Sequence, residues 1–254
     1  MFLCPTFPAC RLLHKDNNAL SFISCFSVHR LYNKSYSPVP YKELSGKAEN
    51  DTPTGGSEAA GAEKQTLRKK ILAERLLLTE EVWLQKSREI ADAVQRLPEF
   101  PLFRHVLGYL PLADRREVDT SELFALLARF GKQVSIPVIA GGELVTAAYR
   151  DHEPLTTGIF GQSEPLRPVM SDERSLDAVL VPVVAADHRG YRLGYGKGFY
   201  DRFFSRLAKA ECNPLRIGLA FYMQILPRIP VDPWDQPLDY IVHEQGVFQY
   251  NYCH

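Results

Sequence analysis

Apolar residues recur at helical spacing in four segments of the chain. In the first segment Leu67, Ile71 and Leu72 follow the spacing of one helix face. The second follows Thr79, a residue type that caps helix N-termini, with two glutamates in the next turn. The third ends at Gly131. These patterns predict helices over residues 64–78, 79–97, 121–130 and 199–207.

Short apolar runs lie between these predicted helices. The longest, LDAVLVPVV, is apolar throughout, which is typical of a strand that is covered on both faces of a sheet. Residues 154–165 show no strong periodicity and are predicted to form a loop, and the prolines between residues 227 and 237 predict irregular backbone. Strands are predicted over residues 105–110, 133–139, 144–149, 176–184 and 216–221.

Alternation of strands with helices predicts an α/β fold with a mostly parallel sheet flanked by helices. We expect a single Rossmann-like three-layer domain over residues 62–254. Residues 45–61 hold too few large apolar side chains to offset the entropy of ordering them, so they are predicted to be a linker.

The N-terminal segment, residues 1–61, is predicted to be a disordered leader. Its first 42 residues contain five basic residues against one acid and are rich in serine, as in mitochondrial transit peptides. A disordered extension or a misassigned start codon is the alternative. We therefore expect a mitochondrial location, with the cytoplasm as the alternative.

Charge and cysteine content exclude several classes of function. Thirty basic and thirty acidic residues cancel, so no overall positive field would recruit nucleic acid or an anionic membrane. No segment approaches the roughly 20 apolar residues of a membrane helix. The five cysteines contain no CxxC pair, which argues against a disulfide scaffold or a structural zinc site. A soluble protein that binds anions locally is expected.

The richest candidate for chemistry is the glycine-rich sequence DHRGYRLGYGKGFYDR at residues 187–202, between a predicted buried strand and a predicted helix. Closely spaced glycines let backbone amides approach a phosphate at a helix N-terminus. Arg192 and Lys197 add cations, and Asp201 could hold Mg²⁺. The loop matches neither GxxxxGK[ST] nor GxGxxG. A tight strand-to-helix turn without a ligand is the alternative.

The loop sequence RLGYGKGFYDR resembles the C-terminal signature of the 5-formyltetrahydrofolate cyclo-ligase (methenyltetrahydrofolate synthetase) family, which reads RLGxGxGYYD. Three further segments occur in the family's order: KQTLRKKILAERLLL, EVDT and LAFYMQILPRIPVDPWDQPLDYIVHE. Together these segments cover residues 64–244. The chain departs from the family pattern at Ala186 and Phe199, where relatives usually have Phe and Tyr.

The resemblance implies a set of site residues. The ATP-binding positions are Lys64, Arg68, Arg192, Leu193, Gly194, Tyr195, Gly196, Lys197, Gly198, Phe199 and Tyr200. The folate-binding positions are Leu110, Leu112, Glu117, Tyr195, Gly196, Lys197, Gly198 and Phe199. The Mg²⁺ ligands are Asp201 and Asp235, and the catalytic positions are Lys197, Arg192 and Tyr200.

Three of these assignments have structural alternatives. Lys64 and Arg68 lie one helical turn apart, which suits a shared triphosphate, but they could belong to a solvated basic face. Glu117, implied to recognise the pterin ring, could instead lie at a helix N-cap or first turn. Asp201 could pair with an arginine.

The implied reaction converts 5-formyltetrahydrofolate, with or without a polyglutamate tail, to 5,10-methenyltetrahydrofolate while ATP becomes ADP and phosphate. In the implied mechanism the formyl oxygen attacks the γ-phosphate, N10 closes onto the activated carbon and phosphate leaves. We expect a monomer with no nucleic-acid or membrane partner. Two alternatives are a related enzyme that uses the loop on another phosphate-bearing substrate, and a non-catalytic folate-binding paralogue.

Overall fold

The computed structural model describes residues 42–43 and 57–250, all within the unit Val39–His254. The predicted leader therefore lies almost wholly outside the described residues.

The four predicted helices are all present: α1 (Ser57–Leu76), α2 (Glu80–Gln95), α3 (Ser121–Arg129) and α4 (Phe199–Lys209). The Thr79 hydroxyl accepts a hydrogen bond from the Val82 amide at 3.3 Å, as its N-cap position predicts. Helix α1 begins at Ser57, so the end of the predicted linker is helical. None of the helices in the described stretches is long and apolar enough to span a membrane.

The main sheet has eight strands in the order β1-β13-β12-β10-β7-β2-β3-β4, and its inner neighbours are parallel. Within the described residues the strands are β1 (Lys42–Glu43), β2 (His105–Leu107), β3 (Gln133–Ala140), β4 (Glu143–Ala148), β5 (Leu155–Thr157), β6 (Ser163–Pro165), β7 (Ala178–Pro182), β8 (Ala185–Asp187), β9 (Arg192–Leu193), β10 (Leu215–Leu219), β11 (Ile225–Leu226), β12 (Tyr240–His243) and β13 (Gly246–Gln249). The predicted α/β class with a mostly parallel sheet is confirmed.

Side chains of the central strand β7 alternate between the two faces of the sheet. Ala178 and Leu180 pack into the core beneath α2 and α3, whereas Val179 and Val181 pack into the core beneath α4. Both sets are fully buried, which is why this strand shows an unbroken apolar run. Helix α1 covers a third, smaller core around β8 and β9.

The structure differs from the predicted elements in two informative places. The predicted strand over residues 105–110 ends at Leu107. The chain then passes so close to α3 that a Cβ atom on Gly108 would lie 2.3 Å from Cε1 of Phe124. The predicted loop at 154–165 contains the antiparallel hairpin β5–β6. Every side chain of β5 is exposed, so no alternation of apolar and polar residues marks this strand.

The early end of β2 helps to form the site. β2 and β7 are parallel neighbours, so their carboxyl ends lie at the same edge of the sheet. Tyr109, which follows β2, and Pro182, the last residue of β7, line a cleft at this edge. Ligands of open α/β sheets bind at such edges.

Candidate active site

A cleft of about 1150 Å³ opens at the carboxyl ends of β2 and β7. Its walls combine α1, the segment after β2, and the glycine-rich loop between β9 and α4. All of the predicted site residues line it: Lys64, Arg68, Leu110, Leu112, Glu117, Arg192, Leu193, Gly194, Tyr195, Gly196, Lys197, Gly198, Phe199, Tyr200, Asp201 and Asp235. The structure thus brings together residues far apart in the chain, while their individual roles stay predictions.

The glycine-rich loop has a backbone that requires glycine. Gly196 and Gly198 both have positive φ angles, 88° and 65°. Residues with a Cβ atom adopt such angles only at a cost in conformational energy. Gly198 is also the N-cap residue of α4. A Cβ atom on Gly196 would approach the Arg68 guanidinium carbon to 3.2 Å. The loop thus lies close to a cation of α1 and leads into a helix N-terminus, an arrangement that suits an anion.

One face of α1 carries cations into the cleft. Lys64 is only 7% exposed, and its Nζ atom donates to Oδ2 of Asp232 and to Oδ2 of Asp235, both at 2.7 Å. Arg68 is partly buried, and its Nε atom donates to the Gly194 carbonyl at 2.8 Å. Burial lowers the pKa of Arg68, and Asp235 and Asp232 oppose this effect. A solvated basic face is therefore the wrong interpretation for both residues.

Arg192 and Asp201 form an ion pair beneath the loop. The Arg192 Nη2 atom donates to Asp201 Oδ1 at 2.8 Å, and its Nη1 atom donates to the Gln236 carbonyl. The Gln236 amide donates to the same Asp201 oxygen at 3.1 Å. The pairing that was the alternative for Asp201 is thus present, and Arg192 is committed to this carboxylate and a backbone carbonyl.

The predicted Mg²⁺ ligands each retain one carboxylate oxygen without a hydrogen bond from the part of the chain that the structure describes: Oδ2 of Asp201 and Oδ1 of Asp235. Mg²⁺ is commonly held by one or two carboxylates together with substrate phosphates and water, so this donor set fits the ion. Residues 42–43 and 57–250 contain no group of three or more His, Cys, Asp or Glu side chains that could hold a metal ion.

Glu117 is buried in the cleft wall, with 4% of the residue exposed. Its Oε2 atom accepts from the Leu112 amide at 2.7 Å, and its Oε1 atom accepts from the Tyr195 hydroxyl at 2.5 Å. It does not cap α3, where Asp119 accepts from the Ser121 amide. Burial raises the pKa of Glu117, while the hydrogen bonds from Leu112 and Tyr195 lower it.

Lys197 and Tyr200 line the cleft. Within the described residues, the Lys197 ammonium has no ion-pair partner and the Tyr200 hydroxyl has no hydrogen-bond partner. Lys197 is exposed, forms no ion pair within the described residues, and has its Nζ atom 5.5 Å from the ring centroid of Phe160. The Tyr200 hydroxyl is buried and has no hydrogen-bond partner in residues 42–43 and 57–250. Burial raises the pKa of this hydroxyl, so it stays protonated at neutral pH.

Several charged residues in or beside the cleft were not among the predicted site residues, including Arg75, Arg115 and Asp232. Arg75 is only 1% exposed, although α1 carries several other basic residues on its surface. Its spacing from Lys64, Arg68 and Ile71 repeats one helix face, so helical periodicity applied to cations as well as apolar residues would have found it. The prolines around Asp232 gave no comparable signal.

Comparisons with known proteins point to one family. Residues 60–244 match the sequence model of the 5-formyltetrahydrofolate cyclo-ligase family. The 5-formyltetrahydrofolate cyclo-ligase of Escherichia coli K12 is 31% identical over 182 residues, which cover 69% of this chain and 97% of that protein. A probable 5-formyltetrahydrofolate cyclo-ligase of Schizosaccharomyces pombe is 32% identical over 177 residues, covering 65% and 86% of the two chains.

Solved structures agree. The 5,10-methenyltetrahydrofolate synthetase of Aquifex aeolicus superposes with a TM-score of 0.64 at 34% identity and covers 75% of this chain and 96% of its own. The synthetase of Mycoplasma pneumoniae gives a TM-score of 0.58 at 25% identity, covering 71% and 98% of the two chains.

Proposed function

The chain belongs to the 5-formyltetrahydrofolate cyclo-ligase family, and from this premise we propose how its cleft carries out the reaction. The activity is that of a 5-formyltetrahydrofolate cyclo-ligase, an enzyme of folate metabolism that yields 5,10-methenyltetrahydrofolate, and the family uses ATP. The assignment of residues to each step is the proposal.

The observation that carries the proposal is that one cleft offers cations for a polyphosphate and a buried carboxylate for a heterocycle. Lys64, Arg68 and Lys197 line the cleft. Glu117 lines it as well, at the point where the Tyr195 hydroxyl of the glycine-rich loop donates to its carboxylate. A carboxylate accepts hydrogen bonds from adjacent N–H groups, which a pterin ring edge presents. We assign the loop side of the cleft to ATP and the Glu117 side to the pterin.

An amide oxygen is a poor leaving group, so the formyl oxygen must be activated before N10 can close the ring. Transfer of the γ-phosphoryl group to that oxygen achieves this, and its rate depends on alignment and on offsetting phosphate charge. Lys197 can follow the moving charge because no carboxylate of the described residues holds it. Arg68, fixed by the Gly194 carbonyl, keeps the loop next to α1.

The Tyr200 hydroxyl is assigned to the substrate. A buried hydroxyl without a partner costs about 1–3 kcal/mol, and a ligand oxygen in the cleft would remove that cost. Because its raised pKa keeps the proton in place, Tyr200 would donate a hydrogen bond rather than act as a base.

Asp201 and Asp235 would hold Mg²⁺, which when bound neutralises charge on the nucleotide phosphates. Asp201→Asn keeps an acceptor for Arg192 but removes a negative charge. We expect turnover to fall by at least about tenfold, while the Kd for 5-formyltetrahydrofolate changes little. Turnover at saturating Mg²⁺ and a folate titration without ATP measure the two quantities.

The control for this variant is Asp92→Asn on the exposed face of α2. It removes an equal charge far from the chemistry and should leave both values unchanged. Wild-type turnover of Asp201→Asn would reduce Asp201 to a structural partner of Arg192.

The proposed function is tested by coupling the two substrates. ADP formation by the purified full-length protein should require 5-formyltetrahydrofolate, with one ADP for each methenyl product. A rate of ATP hydrolysis that is the same with and without 5-formyltetrahydrofolate would contradict the assignment of both substrates to one cleft. We also propose that the protein is a monomer, which sedimentation velocity would test.

We further propose that residues 1–61 direct the protein to mitochondria, on the basis of their acid-poor, serine-rich composition. A fluorescent protein fused behind these residues should enter mitochondria, and a fusion in which the five basic residues of positions 1–42 are neutral should not. A cytosolic wild-type fusion would favour the alternative of an untargeted extension.

A further inference from the structure

A hydrogen-bonded chain of three side chains links α1 to the floor of the cleft. The Arg75 Nη2 atom donates to the Tyr195 hydroxyl at 2.9 Å, and that hydroxyl donates to Oε1 of Glu117 at 2.5 Å. Arg75 and Glu117 form no direct ion pair, so the phenol stands between a buried cation and a buried carboxylate. Burial of either charge without compensation would be costly.

Both ends of this chain are fixed by backbone atoms. Arg75 also donates from Nε to the Arg115 carbonyl at 2.7 Å and from Nη1 to the Val183 carbonyl at 3.3 Å. At the other end the Leu112 amide holds the second oxygen of Glu117. The Arg115 guanidinium lies 5.0 Å from the centroid of the Tyr195 ring, which limits movement of the phenol.

These contacts leave Glu117 half satisfied. An ionised carboxylate can accept about four hydrogen bonds, two at each oxygen. Tyr195 occupies one site on Oε1 and Leu112 occupies one on Oε2, so each oxygen keeps one further site. Because Glu117 lines the cleft, a planar ligand edge with two adjacent N–H donors could use both remaining sites together.

We propose that Arg75 and Tyr195 are positioning residues for folate: Arg75 holds the Tyr195 hydroxyl, and that hydroxyl fixes the orientation of the Glu117 carboxylate that receives the pterin edge. The proposal rests on the proposed function for the identity of the ligand. Arg75 does not line the cleft, so it would affect folate binding only through the side chains of Tyr195 and Glu117.

The electrostatic surroundings of Glu117 support a charged carboxylate that depends on this phenol. Arg75 on α1 and Arg115 favour its anion, whereas burial opposes it. The other groups that face it are the hydroxyls of Tyr109 and Tyr200, whose pKa values are raised by burial and by Glu117 itself. Loss of the Tyr195 donor would therefore raise the pKa of Glu117 further.

The test uses Tyr195→Phe, which removes only the hydroxyl and keeps the ring beside Arg115. We expect the KM for 5-formyltetrahydrofolate to rise about tenfold, as for loss of one hydrogen bond to a charged group, with kcat and the KM for ATP within about twofold. Folate affinity should fall on acidification as Glu117 becomes protonated. In Tyr195→Phe this fall should occur at higher pH than in wild type, because the carboxylate would protonate more readily. Tyr191→Phe, in the same segment but outside the cleft, is the matched control and should match wild type.

Arg75→Lys tests the second link by a double-mutant cycle. If Arg75 acts through Tyr195, Arg75→Lys should raise the folate KM several-fold in the wild-type background and by less than about twofold in Tyr195→Phe. Equal effects in both backgrounds would overturn the role of Arg75. If Arg75→Lys does not fold, the KM split and the pH shift of Tyr195→Phe decide the proposal.

The proposed function and this inference fail separately. A wild-type protein without turnover refutes the function, and the positioning roles are then judged by titration of 5-formyltetrahydrofolate without ATP. An active wild type and a Tyr195→Phe variant with equal folate KM and an unchanged pH profile would overturn the positioning roles alone. No folate binding by wild type would overturn both.

Discussion

Lys197→Met should lower kcat by at least about tenfold, which corresponds to about 1.4 kcal/mol of transition-state stabilisation. Lys197 is exposed at the cleft wall and has no carboxylate partner among the described residues, so its ammonium is free to meet the charge that builds on the γ-phosphoryl oxygens. Methionine keeps the aliphatic stem. Steady-state kinetics with saturating 5-formyltetrahydrofolate and ATP measure the effect.

Lys70→Met is the control for this experiment, since Lys70 is an exposed lysine of α1 outside the cleft. It should leave kcat unchanged. Both variants should be measured at two salt concentrations, because a distant surface charge would act only through a screened field. A kcat of Lys197→Met within twofold of wild type at both salts would remove Lys197 from the catalytic residues.

Glu117→Gln should raise the KM for 5-formyltetrahydrofolate by roughly ten- to a hundredfold, the range for loss of a hydrogen bond to a charged group. The glutamine would still fill the space, but one of its two terminal atoms is a donor, so it cannot accept at both positions from a pterin edge. It would also remove the negative charge that buried Arg75 faces through the Tyr195 hydroxyl. Initial rates over a range of folate concentrations give the KM.

For the Glu117→Gln variant the control is Glu122→Gln, on the exposed face of α3.

In the wild-type protein, folate affinity should fall as the solution is acidified through the raised pKa of Glu117, since binding requires the ionised carboxylate. An unchanged folate KM in Glu117→Gln would move the pterin site elsewhere in the cleft.

The parts of the site that could be predicted from sequence are those with local signatures. The glycine loop requires positive φ angles at Gly196 and Gly198, so its residues are constrained together and remain recognisable. The spacing of four residues between Lys64 and Arg68 likewise predicts that both lie on one face of α1. The helices and the central strands were predicted because burial on one or both faces imposes a periodic pattern.

The parts that could not be predicted depend on contacts between distant segments. Asp232 and Asp235 hold Lys64 from across the fold, and no periodicity relates their positions. The exposed strands of the β5–β6 hairpin show no pattern, although its tip residue Phe160 packs at 5.3 Å from the Phe199 ring. Pairing of Asp201 with Arg192 was open from sequence, because it requires the positions of both side chains.

The proposed activity is tested most directly by following the absorbance of the methenyl product in a mixture of purified full-length protein, Mg²⁺ and 5-formyltetrahydrofolate, before and after ATP is added. We expect no change in absorbance before ATP is added, and afterwards a rise whose end point is proportional to limiting ATP. A folded protein that gives no rise with ATP, or the same rise without it, would contradict the proposed ATP-dependent cyclisation.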